Sequence, residues 1–149
     1  MRKFLWDSVM NKISIGSRHK GRNQIPKDLC RKINEFSVGH DEIVAIYLFG
    51  SIATAKNRPG SDIDVAIMVR SRIKGMERVQ LETSLSNLLK RDVDLVVFGE
   101  ASPLLQHQIL RNSRLVYERD PKERVRQEVA ARREYLNTAF LYKVIEAYT

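Results

Sequence analysis

Two apolar, β-branched runs, residues 43–49 and 62–69, flank a Gly50-Ser51 pair, and the second run opens on Asp62-Ile63-Asp64, giving the pattern G-S-x10-D-x-D. Both runs read as strands, and the acids between them are the tightest constraint in the chain. Successive strand residues alternate between faces, so Asp62 and Asp64 share one face while Ile63 and Val65 take the other. Their backbones stand roughly 6–7 Å apart, close enough for both carboxylates to converge on one or two small cations. Left alone, two such charges repel and resist ionisation. Hard oxygen donors of this kind suit Mg²⁺ or Mn²⁺. Gly50 lacks a Cβ, so the backbone can turn sharply and a ligand can approach it. Ser51 adds a hydroxyl, and a helical turn starting there would offer free N–H groups to an anion. These residues describe a place for a nucleoside triphosphate with a divalent cation. The competing interpretation is structural, because Gly-Ser-Asp clusters also build ordinary loops.

The chain has 149 residues, a formal charge of +8 and one cysteine. That length predicts one domain with a substantial core. The positive balance favours anionic partners such as nucleotides, nucleic acid or an acidic protein, the plainer role being solubility. A single cysteine excludes an internal disulfide framework, and Cys30, among Leu29, Ile33 and Phe36, reads as a buried thiol. No apolar run reaches the roughly 18–20 residues that span a bilayer, and no signal-peptide pattern opens the chain. A cytoplasmic protein without membrane attachment is expected.

Residues 1–25 read as a basic N-terminal extension and 26–149 as the domain, closed by a C-terminal helix. In the extension, Leu5, Trp6, Val9, Met10 and Ile13 recur at helical spacing ahead of a basic stretch, residues 17–22. A helix begins near Pro26 and ends near Gly39, with Leu29, Ile33 and Phe36 on one face. A short helical turn is expected over 53–57, and Leu81, Leu85, Leu88 and Leu89 mark the apolar stripe of a later helix. Residues 92–98 read as a third strand, with Asp92, Asp94 and Val96 on one face. Ser102-Pro103 starts another helix, and Leu115 to Tyr117 a short edge strand. From Pro121 the chain reads as one long helix. Its stripe of Val125, Val129, Leu136, Phe140, Val144 and Ile145 either covers the sheet, the plainer reading, or faces a partner. His107 reads as a packing or surface residue, and no two histidines have metal-site spacing. The fold class is α/β (α+β), a small mixed sheet flanked by helices.

The span from Gly50 to Asp64 resembles the signature of the DNA polymerase β-like nucleotidyltransferase superfamily. Ile46-Tyr47-Leu48-Phe49-Gly50-Ser51, Ser61-Asp62-Ile63-Asp64-Val65-Ala66 and Val93-Asp94-Leu95-Val96-Val97 are similar to the minimal nucleotidyltransferases of prokaryotes, the MNT type. So are Ala101-Ser102-Pro103-Leu104, Gln108-Ile109-Leu110 and Leu115-Val116-Tyr117, and the resemblance covers about residues 26–120. Such proteins are often the antitoxin of a pair whose toxin is a HEPN-domain ribonuclease. The resemblance implies a polymerase β-like fold, with Asp94 as the third acid and Asp92 as a flanking alternative. It implies Asp62, Asp64 and Asp94 as catalytic metal ligands for two Mg²⁺ ions, and Gly50 and Ser51 on the ATP phosphates. It also implies transfer of AMP to a hydroxyl, a tyrosine of the HEPN toxin. Where many relatives carry arginines and a glycine after the serine, this chain has Ile52, Thr54 and Ala55, with Lys56 and Arg58 nearby to supply charge. Three other readings stay open: a small-molecule, antibiotic-type nucleotidyltransferase; an antitoxin that acts by binding alone; and a nucleic-acid-binding module using the basic arm. Homo-oligomerisation is open as well.

Overall fold

The elements follow in the order α1 (Lys27–Val38), β1 (Ile43–Phe49), a 3-10 turn (Gly50–Ile52), β2 (Ile63–Val69), α2 (Gly75–Leu89) and β3 (Val93–Val97). A second 3-10 turn (Phe98–Glu100), α3 (Pro103–Asn112), β4 (Arg114–Glu118) and α4 (Pro121–Tyr148) complete the chain. This is a computed structural model that describes residues 25–53 and 60–149. The helix expected around Leu5 to Ile13 and most of the turn expected over 53–57 lie outside the described residues. The four strands form one sheet in the order β3-β2-β1-β4. β1 runs antiparallel to β2 and β4, while β2 and β3 are parallel. A parallel pair needs a crossover, and α2 supplies it.

β1 is apolar throughout because both of its faces are covered. Ile43, Ile46 and Leu48 enter a core shared with α1 and α2, through Leu29, Ile33, Leu81 and Leu85. Val44, Ala45 and Tyr47 enter the core on the other face, with Phe98, Ile109 and Ala131. Strict alternation would part Val44 from Ala45; the register slips between Ile43 and Ala45, and the irregularity turns both to one side. Full burial of each large side chain, such as Ile46 or Leu48, contributes about 1.5–3 kcal/mol.

Helix ends follow local chemistry. The Ser102 hydroxyl accepts the Leu105 N–H at 3.2 Å, with Pro103 in the first helical position. α1 ends at Gly39 as predicted, but Gly39 stands at φ −80°, so the stop uses ordinary right-handed backbone. The left-handed cap occurs instead at Lys90 after α2, at φ 53°. Leu81, Leu85 and Leu89 are buried along α2, whereas Leu88 is exposed.

The long helix departs from the plainer expectation. Its first half is fastened to the sheet. The Tyr47 hydroxyl donates to Glu128 Oε1 at 2.6 Å, and Arg124 pairs with both Glu118 and Glu128 at 2.5 Å. Burial, then the Glu128 carboxylate, hold the Tyr47 phenol far above its ordinary range. Tyr135 stacks on His107 of α3 with ring centroids 3.8 Å apart, which makes His107 a packing residue. Only Ala131 of α4 is buried, and the expected stripe stays in solvent, Leu136 at 65% and Phe140 at 67% exposure. The reason is length: 28 residues extend about 42 Å, whereas four strands span only about 15 Å between outer axes.

Candidate active site

β2 begins beside β3, and in that parallel register Asp64 faces Asp94 and Ile63 faces Val93. Neighbouring strands lie about 4.8 Å apart, so register alone puts these two carboxylates side by side. Asp62 precedes the strand and is exposed, as is Asp94, while Asp64 is half-buried. The Ile63 N–H donates to the Asp92 carbonyl at 2.9 Å, locking the two strand starts together. On its other side Asp64 stands opposite Phe49, the last residue of β1. That brings it to the Gly50 turn.

Gly50 has φ +67°, backbone that L side chains rarely adopt. A Cβ there would lie 2.1 Å from Asp64 Oδ2. The glycine is therefore required twice, by its dihedral and by the carboxylate seated on it. Ser51 follows in the 3-10 turn and is half-buried. Gly50, Ser51, Asp62, Asp64 and Asp94 thus come together at one end of the sheet. Lys56 and Arg58 lie outside the described residues.

Asp64 shows that the cluster is electrostatically coupled. Burial is the main cause that lifts its carboxyl above the ordinary range, followed by the charge of Asp94 and then that of Asp62. Among the described residues, no group of three His, Cys, Asp or Glu side chains is arranged to hold a metal ion by itself. That arrangement suits magnesium, which is held through one or two carboxylates plus waters and substrate phosphates rather than by an all-protein cage. The donor set, oxygen only and negatively charged, fits it; no sulfur or imidazole stands in the cluster. Asp92 is exposed and sits outside β3, whereas Asp94 is the residue in register with Asp64.

Sequence reasoning missed Arg91. Its Nη2 donates to the Ser61 carbonyl at 2.5 Å, tying the turn after α2 to the approach to the acid pair. The only signal was a cation immediately before Asp92. Cys30 is buried and burial pushes its thiol up, which removes it as a nucleophile. A wide groove of about 1370 Å³ lies at the far ends of β2 and β3, lined by Val69, Arg70, Lys74, Val97 and Arg126 among others. It is larger than the acid cleft yet five residues away along β2 from Asp64, roughly 16 Å. No described helix is long and apolar enough to cross a membrane.

Acids from adjacent strands, gathered beside a left-handed glycine turn on a small mixed sheet, define a nucleotidyltransferase-type scaffold. The chain belongs to the family described as Polymerase beta, Nucleotidyltransferase, which it matches over residues 31–122. It is 33% identical over 72 residues to the protein adenylyltransferase MntA of Shewanella oneidensis, covering 48% of this chain and 52% of that protein. The chain thus spans about half the length of the curated relative it matches. Among solved structures, a toxin–antitoxin with AMP-PNP superposes with a TM-score of 0.70 at 24% identity, over 79% of this chain and 95% of that one. A tri-AMPylated Shewanella oneidensis HEPN toxin in complex with MNT antitoxin gives 0.66 at 23% identity, over 81% and 95%. Likeness at that identity establishes the fold.

Proposed function

We propose that this chain is a Mg²⁺-dependent nucleotidyltransferase that moves AMP from ATP to a hydroxyl, a tyrosine of a HEPN-type toxin, and so acts as an antitoxin in the cytoplasm. Residues 26–149 form the catalytic domain. One observation carries the reading: Asp64 is seated against Gly50 and faces Asp94 across the β2–β3 ladder, with Asp62 two residues upstream. The names of the relatives support the nucleotide and the acceptor, since one is a protein adenylyltransferase and another is an AMPylated HEPN toxin with its antitoxin.

Asp62, Asp64 and Asp94 would hold the two magnesium ions. Bound there, magnesium supplies charge neutralisation for the triphosphate and the departing pyrophosphate. Gly50 lets the β and γ phosphates approach backbone that a side chain would block, and Ser51 contributes its hydroxyl to them. The acceptor oxygen bonds to the α-phosphorus as the bond to pyrophosphate breaks, and Asp94 takes the proton that the hydroxyl gives up. Asp64, with its proton affinity raised by its neighbours, is the carboxylate that gains most from an adjacent cation.

The test is ATP labelled at the α-phosphate, incubated with Mg²⁺ and the HEPN-type protein encoded beside this chain. Label is expected on a tyrosine of that protein, and none with Asp62→Asn or Asp64→Asn. Undiminished transfer by either variant contradicts the assignment.

A further inference from the structure

The second half of α4 presents Leu136, Phe140, Ile145 and Tyr148 to solvent, at 57–88% exposure. At 100° per residue these four fall within one half of the helix circumference, a continuous apolar stripe. The ion pairs of α4 belong to its first half, Arg124 with Glu118 and Glu128, and Arg126 with Glu123. Arg132, Arg133 and Lys143 are exposed and, among the described residues, have no carboxylate partner. Arg132 and Lys143 border the stripe, and Arg133 lies within its arc. An apolar strip with a cationic border is what an amphipathic helix with an acidic border fits.

We propose that this half of α4 is the docking surface for the acceptor protein, occupied by an amphipathic helix of that partner with acidic residues along its edge. The proposal rests on the transferase reading above, because it takes the partner to be the protein that receives AMP. Charge selects this occupant over the two that the chain itself could supply. A second copy would bring another +8 chain and the same three cations into one interface. Residues 1–24 carry six lysines and arginines against Asp7 as their one acid. Both are cationic; an acidic helix is complementary. The overhang of α4 beyond the sheet leaves this surface open on a rigid element, which suits capture of a protein acceptor.

The test measures binding of the full chain to the adjacently encoded HEPN-type protein at low and high salt. Phe140→Glu with Ile145→Glu is expected to weaken binding by about 30-fold or more, the loss typical of a central apolar contact. Arg132→Glu with Arg133→Glu is expected to weaken it by roughly 10-fold at low salt and to flatten its salt dependence. AMP-PNP binding stays as in the wild type in both variants. Hydrogen exchange on the unaltered chain is read alongside, so that a variant that fails to fold decides nothing: amides 136–148 are expected to gain protection when the partner is added. Wild-type affinity and transfer rate in the Phe140–Ile145 variant overturn the docking surface and leave the transferase reading standing. Partner-independent protection of 136–148, or a dimer that this variant converts to a monomer, also overturns it. Partner binding through α4 with no label moved removes the transferase reading and leaves the surface.

Discussion

The two ends of the β2–β3 pair hold opposite charges in opposite ways. At the far end, Arg70 pairs with Asp120 at 3.1 Å and Arg126 with Glu123 at 2.5 Å, so the groove there is lined by cations already matched to acids. At the near end, Asp62, Asp64 and Asp94 make no ion pair among the described residues, and the charges that Asp64 feels most are the other two acids. Paired surface charges are ordinary and worth little. Like charges gathered on one face destabilise the fold that gathers them, so their presence points to a ligand that cancels them. The larger concavity is therefore the less informative one.

Asp64→Asn should sharpen this contrast most. Transfer should fall roughly 10³-fold, about 4 kcal/mol of barrier, while the unliganded protein becomes more stable at pH 7. The folded chain holds the Asp64 proton more tightly than the unfolded chain does. Stability should therefore fall as pH rises from the ordinary 3.8 through the raised value, and stay lowered above it. The stabilisation of Asp64→Asn should accordingly shrink to nothing below pH 3.8, as thermal melts across pH would show. Arg124→Ala should cost about 3 kcal/mol in urea unfolding, because it strands Glu118 and Glu128, both largely buried. Gly50→Ala should cost about 1–2 kcal/mol for its left-handed backbone. It should also abolish transfer, since the new methyl must displace the Asp64 carboxylate. Arg72→Ala in the groove should change stability by less than about 0.5 kcal/mol and leave transfer intact. A large loss of transfer from that exposed residue would mean the groove takes part and would break the comparison.

Much of this was legible before any coordinates. β1 was readable to the residue because a strand buried on both faces is apolar throughout, and Asp62 and Asp64 declare a shared face through the two-residue period. Asp94 needed more: its own strand was readable, but its alignment with Asp64 is a fact of register between segments 30 residues apart. The family resemblance supplied what periodicity could not. The slip between Ile43 and Ala45 was hidden because both adjoining residues are apolar and either face would accept them. The overhang of α4 was hidden for a related reason. A stripe such as Leu136, Phe140 and Ile145 reports that a helix has an apolar side, and only packing reports whether the molecule itself covers it. Arg91 carries no periodic signature at all, since its role is a hydrogen bond to the Ser61 carbonyl.

The most direct measurement of the metal site is a Mn²⁺ titration followed by electron paramagnetic resonance, with AMP-PNP present and the partner absent. Free Mn²⁺ signal should be lost at up to two ions per chain in the unaltered protein and should persist, as for AMP-PNP alone, when Asp62 and Asp64 are both asparagine. Equal uptake by the two proteins would contradict the claim that these carboxylates hold the metal.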